Sequence, residues 1–153
     1  SLNHDEKIAT HTVNRNAIRG FKAYHAHVYF DANTSADARS LCKKAGTAFD
    51  IVVGRHHEKP SGPHPVWSCQ LAFAAEVRDN FLRWLEAERG ELTVFVHALS
   101  GNDLADHREH IFWLGAPVTL NLHVFDKHKR NKRSKQGTRP ARTGTTGLGP
   151  NFD

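Results

Sequence analysis

The sequence predicts an α+β chain: a ferredoxin-like β-α-β-β-α-β sandwich with an extra C-terminal strand. Three observations lead there. Short runs of apolar residues alternate with a period of two. Two longer stretches carry apolar residues at helical spacing. The order of the two patterns is that of a split β-α-β unit, with helices packed on one sheet face and the other face left for a partner or ligand.

Residues 1–21 are polar and without period, and read as a leader. Tyr24 to Phe30 alternates and is rich in aromatic and branched side chains, which favour a strand. Asn33 to Asp37 offers helix N-cap residues, and Ala38, Leu41, Cys42, Ala45 and Phe49 then follow helical spacing. Phe49 to Val53 reads as a second strand. Gly54 to Pro65 holds three prolines and two glycines and reads as a long turn. Val66 to Phe73 is a third predicted strand. Ala74 to Arg89 is the clearest helix, with Val77, Phe81, Leu82 and Leu85 on one face and Gly90 as its stop. Leu92 to Leu99 reads as a fourth strand, Asp103 to His110 as a helical turn, and Val118 to Phe125 as the extra strand. The expected organisation is a leader over 1–21, a domain over 22–125 and a basic tail over 126–153.

Composition excludes several classes. The chain has 153 residues, 39% of them hydrophobic, and no apolar run near the roughly 18 residues of a membrane span. Ser1 to Ala9 is too polar for a signal peptide, so a cytoplasmic protein is expected. Cys42 and Cys69 form no CxxC pair, which argues against zinc ribbons and thioredoxin-like chemistry. The net charge of +5 is uneven: residues 126–153 hold eight of the 21 Lys and Arg but only two of the 16 Asp and Glu. The body is therefore close to neutral, and the tail carries the excess.

Twelve histidines in a chain of this length invite a metal hypothesis. On the first strand Ala26, Val28 and Phe30 share the helix-facing side. His25, His27 and Tyr29 share the other, with the two histidine Cα atoms about 6.6 Å apart. On the fourth strand Val94, Val96 and Ala98 suit the helix side, leaving Phe95 and His97 opposite. The first and fourth strands are neighbours in this topology, so His25, His27 and His97 are expected to meet and hold a metal. Solvated or hydrogen-bonded strand histidines are the alternative. The turn carrying His57, Glu58 and His64 could close over that face. Glu58 is a carboxylate that could replace one ligand, because non-haem iron(II) oxygenases commonly use two histidines and a carboxylate. His107 and His110 are three apart and face one way. His107 is read as functional and His110 as a solvated helix residue. His64 and His107 are the acid/base or substrate-orienting candidates. Phe95, Tyr29 or Trp67 could stack on an aromatic ring, with Trp67 better suited to the core.

These residues form four blocks: Tyr24-His25-Ala26-His27-Val28-Tyr29-Phe30; His57-Glu58-Lys59-Pro60-Ser61-Gly62-Pro63-His64-Pro65; Val96-His97; and Gly101 to His110 followed by Trp113-Leu114-Gly115. As an ordered set they resemble the DOPA 4,5-dioxygenase family, over roughly two thirds of the chain. The resemblance implies a ferredoxin-like fold, usually dimeric, and extradiol cleavage of a catechol with dioxygen at a bound divalent metal. Iron(II) is the expected metal, with zinc a possible occupant of a purified sample. DOPA, opened between carbons 4 and 5, is the family's reference substrate. Ala98 stands where the family pattern leads one to expect proline, and the basic tail lies outside that pattern.

Two other classes fit parts of the sequence. One is a non-catalytic, metal- or polyanion-binding dimeric module, using Lys127 to Arg142 on nucleic acid or another polyanion. Against it, the body shows no aromatic ladder interleaved with arginine. The other is a cofactor-free monooxygenase or a zinc enzyme of the same fold. Otherwise the tail is a solubilising end or an arm around a partner subunit.

Overall fold

A computed structural model describes residues 15–126. Five strands form one antiparallel sheet: β1 Ala23–Phe30, β2 Val52–His57, β3 Trp67–Ala74, β4 Thr93–Ala98 and β5 Ile111–Leu114. Their order is β2-β3-β1-β4-β5, the ferredoxin-like order with β5 added beside β4. Helix α1 spans Ser35–Ala48 and α2 spans Arg78–Glu88, entered through a 3-10 turn at Ala75–Val77. A single turn, α3 Asp103–Asp106, bridges β4 and β5.

The alternation along β1 sorts its side chains as expected. Tyr24, Ala26, Val28 and Phe30 join Leu41 and Ala45 of α1 and Phe81, Leu82 and Leu85 of α2 in the main core. Burying such side chains stabilises the fold by about 1.5–3 kcal/mol each. The core also takes in Ile18, at 1% exposure, from the stretch assigned to the leader. The Tyr24 hydroxyl donates to the Ile18 carbonyl at 2.6 Å, and Arg78 Nη1 donates to that hydroxyl at 2.9 Å.

Three boundaries differ from the sequence reading. The strand expected at Phe49–Val53 begins at Val52 and runs on to His57. Phe49 instead caps α1 and packs its ring 5.0 Å from that of Phe81. Pairing with β3 carries β2 into the expected turn, across a register shift between Val53 and His56. Gly54 fits there because a Cβ would come within 3.2 Å of the Gln70 backbone oxygen. The extra strand is not Val118–Phe125 but Ile111–Leu114, which pairs Ile111 with His97 and Trp113 with Phe95. Val118 and Leu120 pack instead on the second apolar cluster, and the Asn121 amide donates to the Pro63 carbonyl at 2.8 Å. The helical turn expected at Asp103–His110 ends as a helix at Asp106.

The sheet face away from the helices is not open. Tyr29, Phe95 and Trp113 form a smaller cluster on it, with Val66, Ile111, Val118 and Leu120 packed around them. Among the described residues, segments of the same chain cover this part of the face. Among the described residues no helix is long and apolar enough to cross a membrane.

Candidate metal centre

His25 and His97 are direct cross-strand partners on β1 and β4, and His27 lies two residues along β1 on the same face. A period of two and one antiparallel register therefore bring three imidazoles together. Each offers a ligand atom, and these atoms all lie within 4.8 Å of one another. His27 Nε2 and His97 Nε2 are 3.0 Å apart. Two nitrogens bound at right angles to one ion, each at about 2.1 Å, would be about 3.0 Å apart. Imidazole suits zinc, iron, copper or nickel, so the donor set fits a divalent transition metal.

Second hydrogen bonds fix the rings. His97 Nδ1 donates to the Ala98 carbonyl at 2.9 Å, because a carbonyl can only accept. The His97 Nε2 lone pair is therefore turned toward His27. Backbone acceptors behind a histidine are the usual way to orient a metal ligand.

Two further histidines roof the cluster. The His64 ring lies 4.0 Å from His27, and the His107 ring 4.1 Å from His97, centroid to centroid. His64 is carried on a tight turn in which Ser61 and His64 exchange backbone hydrogen bonds of 3.0 and 3.3 Å. Gly62, with φ of 57°, supplies the left-handed residue that turn requires. His64 Nδ1 lies 2.8 Å from the Tyr29 hydroxyl oxygen. His107 ends α3, where its Nδ1 donates to the Asp103 carbonyl at 2.8 Å. Buried Asp106 anchors that turn, accepting from the Ser100 amide at 2.8 Å and the Ser100 hydroxyl at 2.6 Å.

Burial dominates the electrostatics. It lowers His25 to about 3, with His107 adding to the effect, and His64 to about 3, again with help from His107. Burial likewise holds His27 and His97 well below the ordinary histidine value, and neighbouring imidazoles push the same way. His107 is lowered by burial, against the pull of the Asp103 carbonyl and carboxylate. Burial raises the Tyr29 phenol. At neutral pH the cluster thus consists of neutral imidazoles, the form that ligates metals.

Of the sequence candidates, His25, His27, His97, His64 and His107 are brought together. Glu58 is not: it is exposed, and its Oε2 accepts from Ser35 Oγ at 3.2 Å at the start of α1. Trp67 packs against the helix-side core, its ring 5.9 Å from Phe30. His110 sits beside Phe21, ring centroids 4.7 Å apart, and is half-buried rather than solvated. His56 stacks on Phe30 at 4.2 Å on the helix side, and His123 is exposed. His4, His11, His128 and the basic tail lie outside the described residues.

Sequence reasoning missed two aromatic walls. Trp113 lies 4.6 Å from Phe95, and Phe125 lies 4.9 Å from His107. The pairing of Trp113 with Phe95 was available only to a reading that placed β5 beside β4.

The fold and the cluster define a ferredoxin-like protein with a buried, metal-competent histidine site. A family profile described as the Dopa 4,5-dioxygenase family matches residues 24–124, and the chain belongs to that family. It is 31% identical over 110 residues to a DOPA 4,5-dioxygenase of Amanita muscaria, a match covering 66% of this chain and 48% of that one. The match thus spans about half the length of the fungal protein. A Botryotinia fuckeliana protein named only as an uncharacterised 21.2 kDa protein is 30% identical over 127 residues, 75% of this chain and 68% of its own. The crystal structure of a candidate dioxygenase from Nostoc punctiforme superposes with a TM-score of 0.69 at 35% identity, covering 71% of this chain and 94% of that one.

Proposed function

We propose that this chain opens the ring of a catechol, DOPA-like or another small dihydroxyphenyl compound, by an extradiol route that consumes dioxygen. One observation carries the reading: ligand atoms of His25, His27 and His97 lie within 4.8 Å of one another. Membership of the Dopa 4,5-dioxygenase family points the same way. The three histidines would hold a divalent metal, iron(II) being the expected one. Once bound, that ion would supply Lewis acidity and open positions where catechol and dioxygen meet.

The remaining chemistry belongs to the side chains. The His107 Nε2 lone pair accepts the proton of a catechol hydroxyl. The apolar wall of Tyr29, Phe95 and Trp113 faces the ring and excludes water. Holding both reactants in one enclosed site removes much of the entropic barrier. In balance, the catechol is the reductant and both oxygen atoms enter the product as one ring carbon–carbon bond breaks.

The test is oxygen uptake by the full chain, reconstituted anaerobically with iron(II), across a small catechol panel. Uptake matched by a yellow ring-opened product supports the reading. No uptake with any catechol overturns it.

A further inference from the structure

We propose that Tyr29 is a positioning residue that locks the proton of His64 on Nε2. The two roof histidines would then meet the centre in opposite tautomers, His64 as donor and His107 as acceptor. The catalytic consequence rests on the dioxygenase reading above; the proton positions rest on hydrogen bonds alone.

His107 is the simpler case. Its Nδ1 lies 2.8 Å from the Asp103 carbonyl oxygen, which can only accept. The proton is therefore on Nδ1, and Nε2 keeps its lone pair. For His64 the 2.8 Å contact between Nδ1 and the Tyr29 hydroxyl allows either group to donate. Burial decides between them. Tyr29 is only 4% exposed, and among the described residues its hydroxyl has His64 Nδ1 as its hydrogen-bond partner. If His64 donated, the phenolic proton would be left buried without an acceptor, at about 1–3 kcal/mol. Tyr29 therefore donates, Nδ1 accepts, and a neutral imidazole must carry its own proton on Nε2.

Two consequences follow from the shape of the ring. Nδ1 and Nε2 lie on opposite sides, so the Nε2 proton is directed away from Tyr29. It can hydrogen-bond a developing negative charge on oxygen. Neither nitrogen of His64 offers a metal a free lone pair, whereas His107 Nε2 does. Tyr29 thus keeps His64 out of the ligand set while its ring lies 4.0 Å from that of His27.

The test is the ¹⁵N spectrum of the full chain, histidine-labelled, free of paramagnetic metal and held at neutral pH. Loss of signals in His64→Asn and His107→Asn assigns the two rings. The expected result is an unprotonated Nδ1 with a protonated Nε2 for His64, and the reverse for His107. In Tyr29→Phe the His64 nitrogens should move toward the average of exchanging tautomers. Its kcat should fall by about 10-fold or more. A wild-type His64 protonated on Nδ1, or a tautomer unchanged in Tyr29→Phe, overturns the proposal. Should Tyr29→Phe fail to fold, the wild-type spectrum decides alone. Failed oxygen uptake alongside the expected tautomers would remove the dioxygenase reading and leave the lock standing.

Discussion

His27 and His97 meet nitrogen to nitrogen at 3.0 Å across β1 and β4. Without an ion, one Nε2 must give a proton to the other. The Ala98 carbonyl keeps the proton of His97 on Nδ1, so His27 has to be the donor. A metal taking the His27 Nε2 lone pair would require that proton to move to Nδ1, so binding is coupled to a change of the His27 tautomer with no net proton release.

The buried imidazoles make stability depend on pH in one direction. Folding holds His25 and His64 near 3 and lowers His27, His97 and His107, whereas unfolded histidines titrate near 6.5. The unfolded chain therefore binds more protons below 6.5. The histidine contribution is complete above that value and is lost as pH falls toward about 3. Urea unfolding of the metal-stripped chain should show midpoints that decline steadily from about pH 7 to pH 4. A flat profile contradicts the burial argument.

Glu58 should be dispensable. It is exposed, and its carboxylate bonds Ser35 rather than the cluster. Glu58→Gln should keep metal affinity and turnover within about twofold of wild type, since exposed polar contacts contribute little. A loss of bound metal in that variant would return the carboxylate to the ligand set.

His107→Gln should separate chemistry from binding. Removing a proton acceptor lowers turnover by about 10²–10⁴-fold. Metal stoichiometry should stay at the wild-type value, because His25, His27 and His97 remain. Equal loss of metal and turnover would make His107 a ligand instead.

Asp106 couples stability to the position of His107. Asp106→Ala abandons two Ser100 donors, one of them a backbone amide. Ser100 is exposed and water can reach its donors, so the cost is that of two lost hydrogen bonds, about 1 kcal/mol net. A melting point lower by about 4–8 °C, with reduced turnover in the surviving fold, is expected. An unchanged melting point would show that the Ser100–Asp106 contacts do not hold the turn.

The histidine pair on β1 was legible because a strand alternates, and His97 because topology makes β1 and β4 neighbours. The helix faces were legible for the same reason, at a period of 3.6. Loop geometry was not. Glu58 looked close to the site because it follows His57. But cross-strand partners share a face, so His57, opposite Ser68, is on the site side and His56, opposite Cys69, is on the helix side. Glu58 then leaves the strand toward Ser35. β5 was misplaced because Ile111–Leu114 is too short to show a period, while the longer Val118–Phe125 run alternates more convincingly. The roof over the sheet depends on tertiary ties such as Asn121 to Pro63, which leave no periodic trace.

Metal analysis tests the central claim most directly. The full chain and its His25→Ala and His97→Ala variants would be loaded anaerobically with iron(II), desalted and assayed for iron. Wild type should retain one iron per chain, with each variant losing more than about 100-fold in affinity. Equal retention by the variants, or none by wild type, would contradict a centre built on these three histidines.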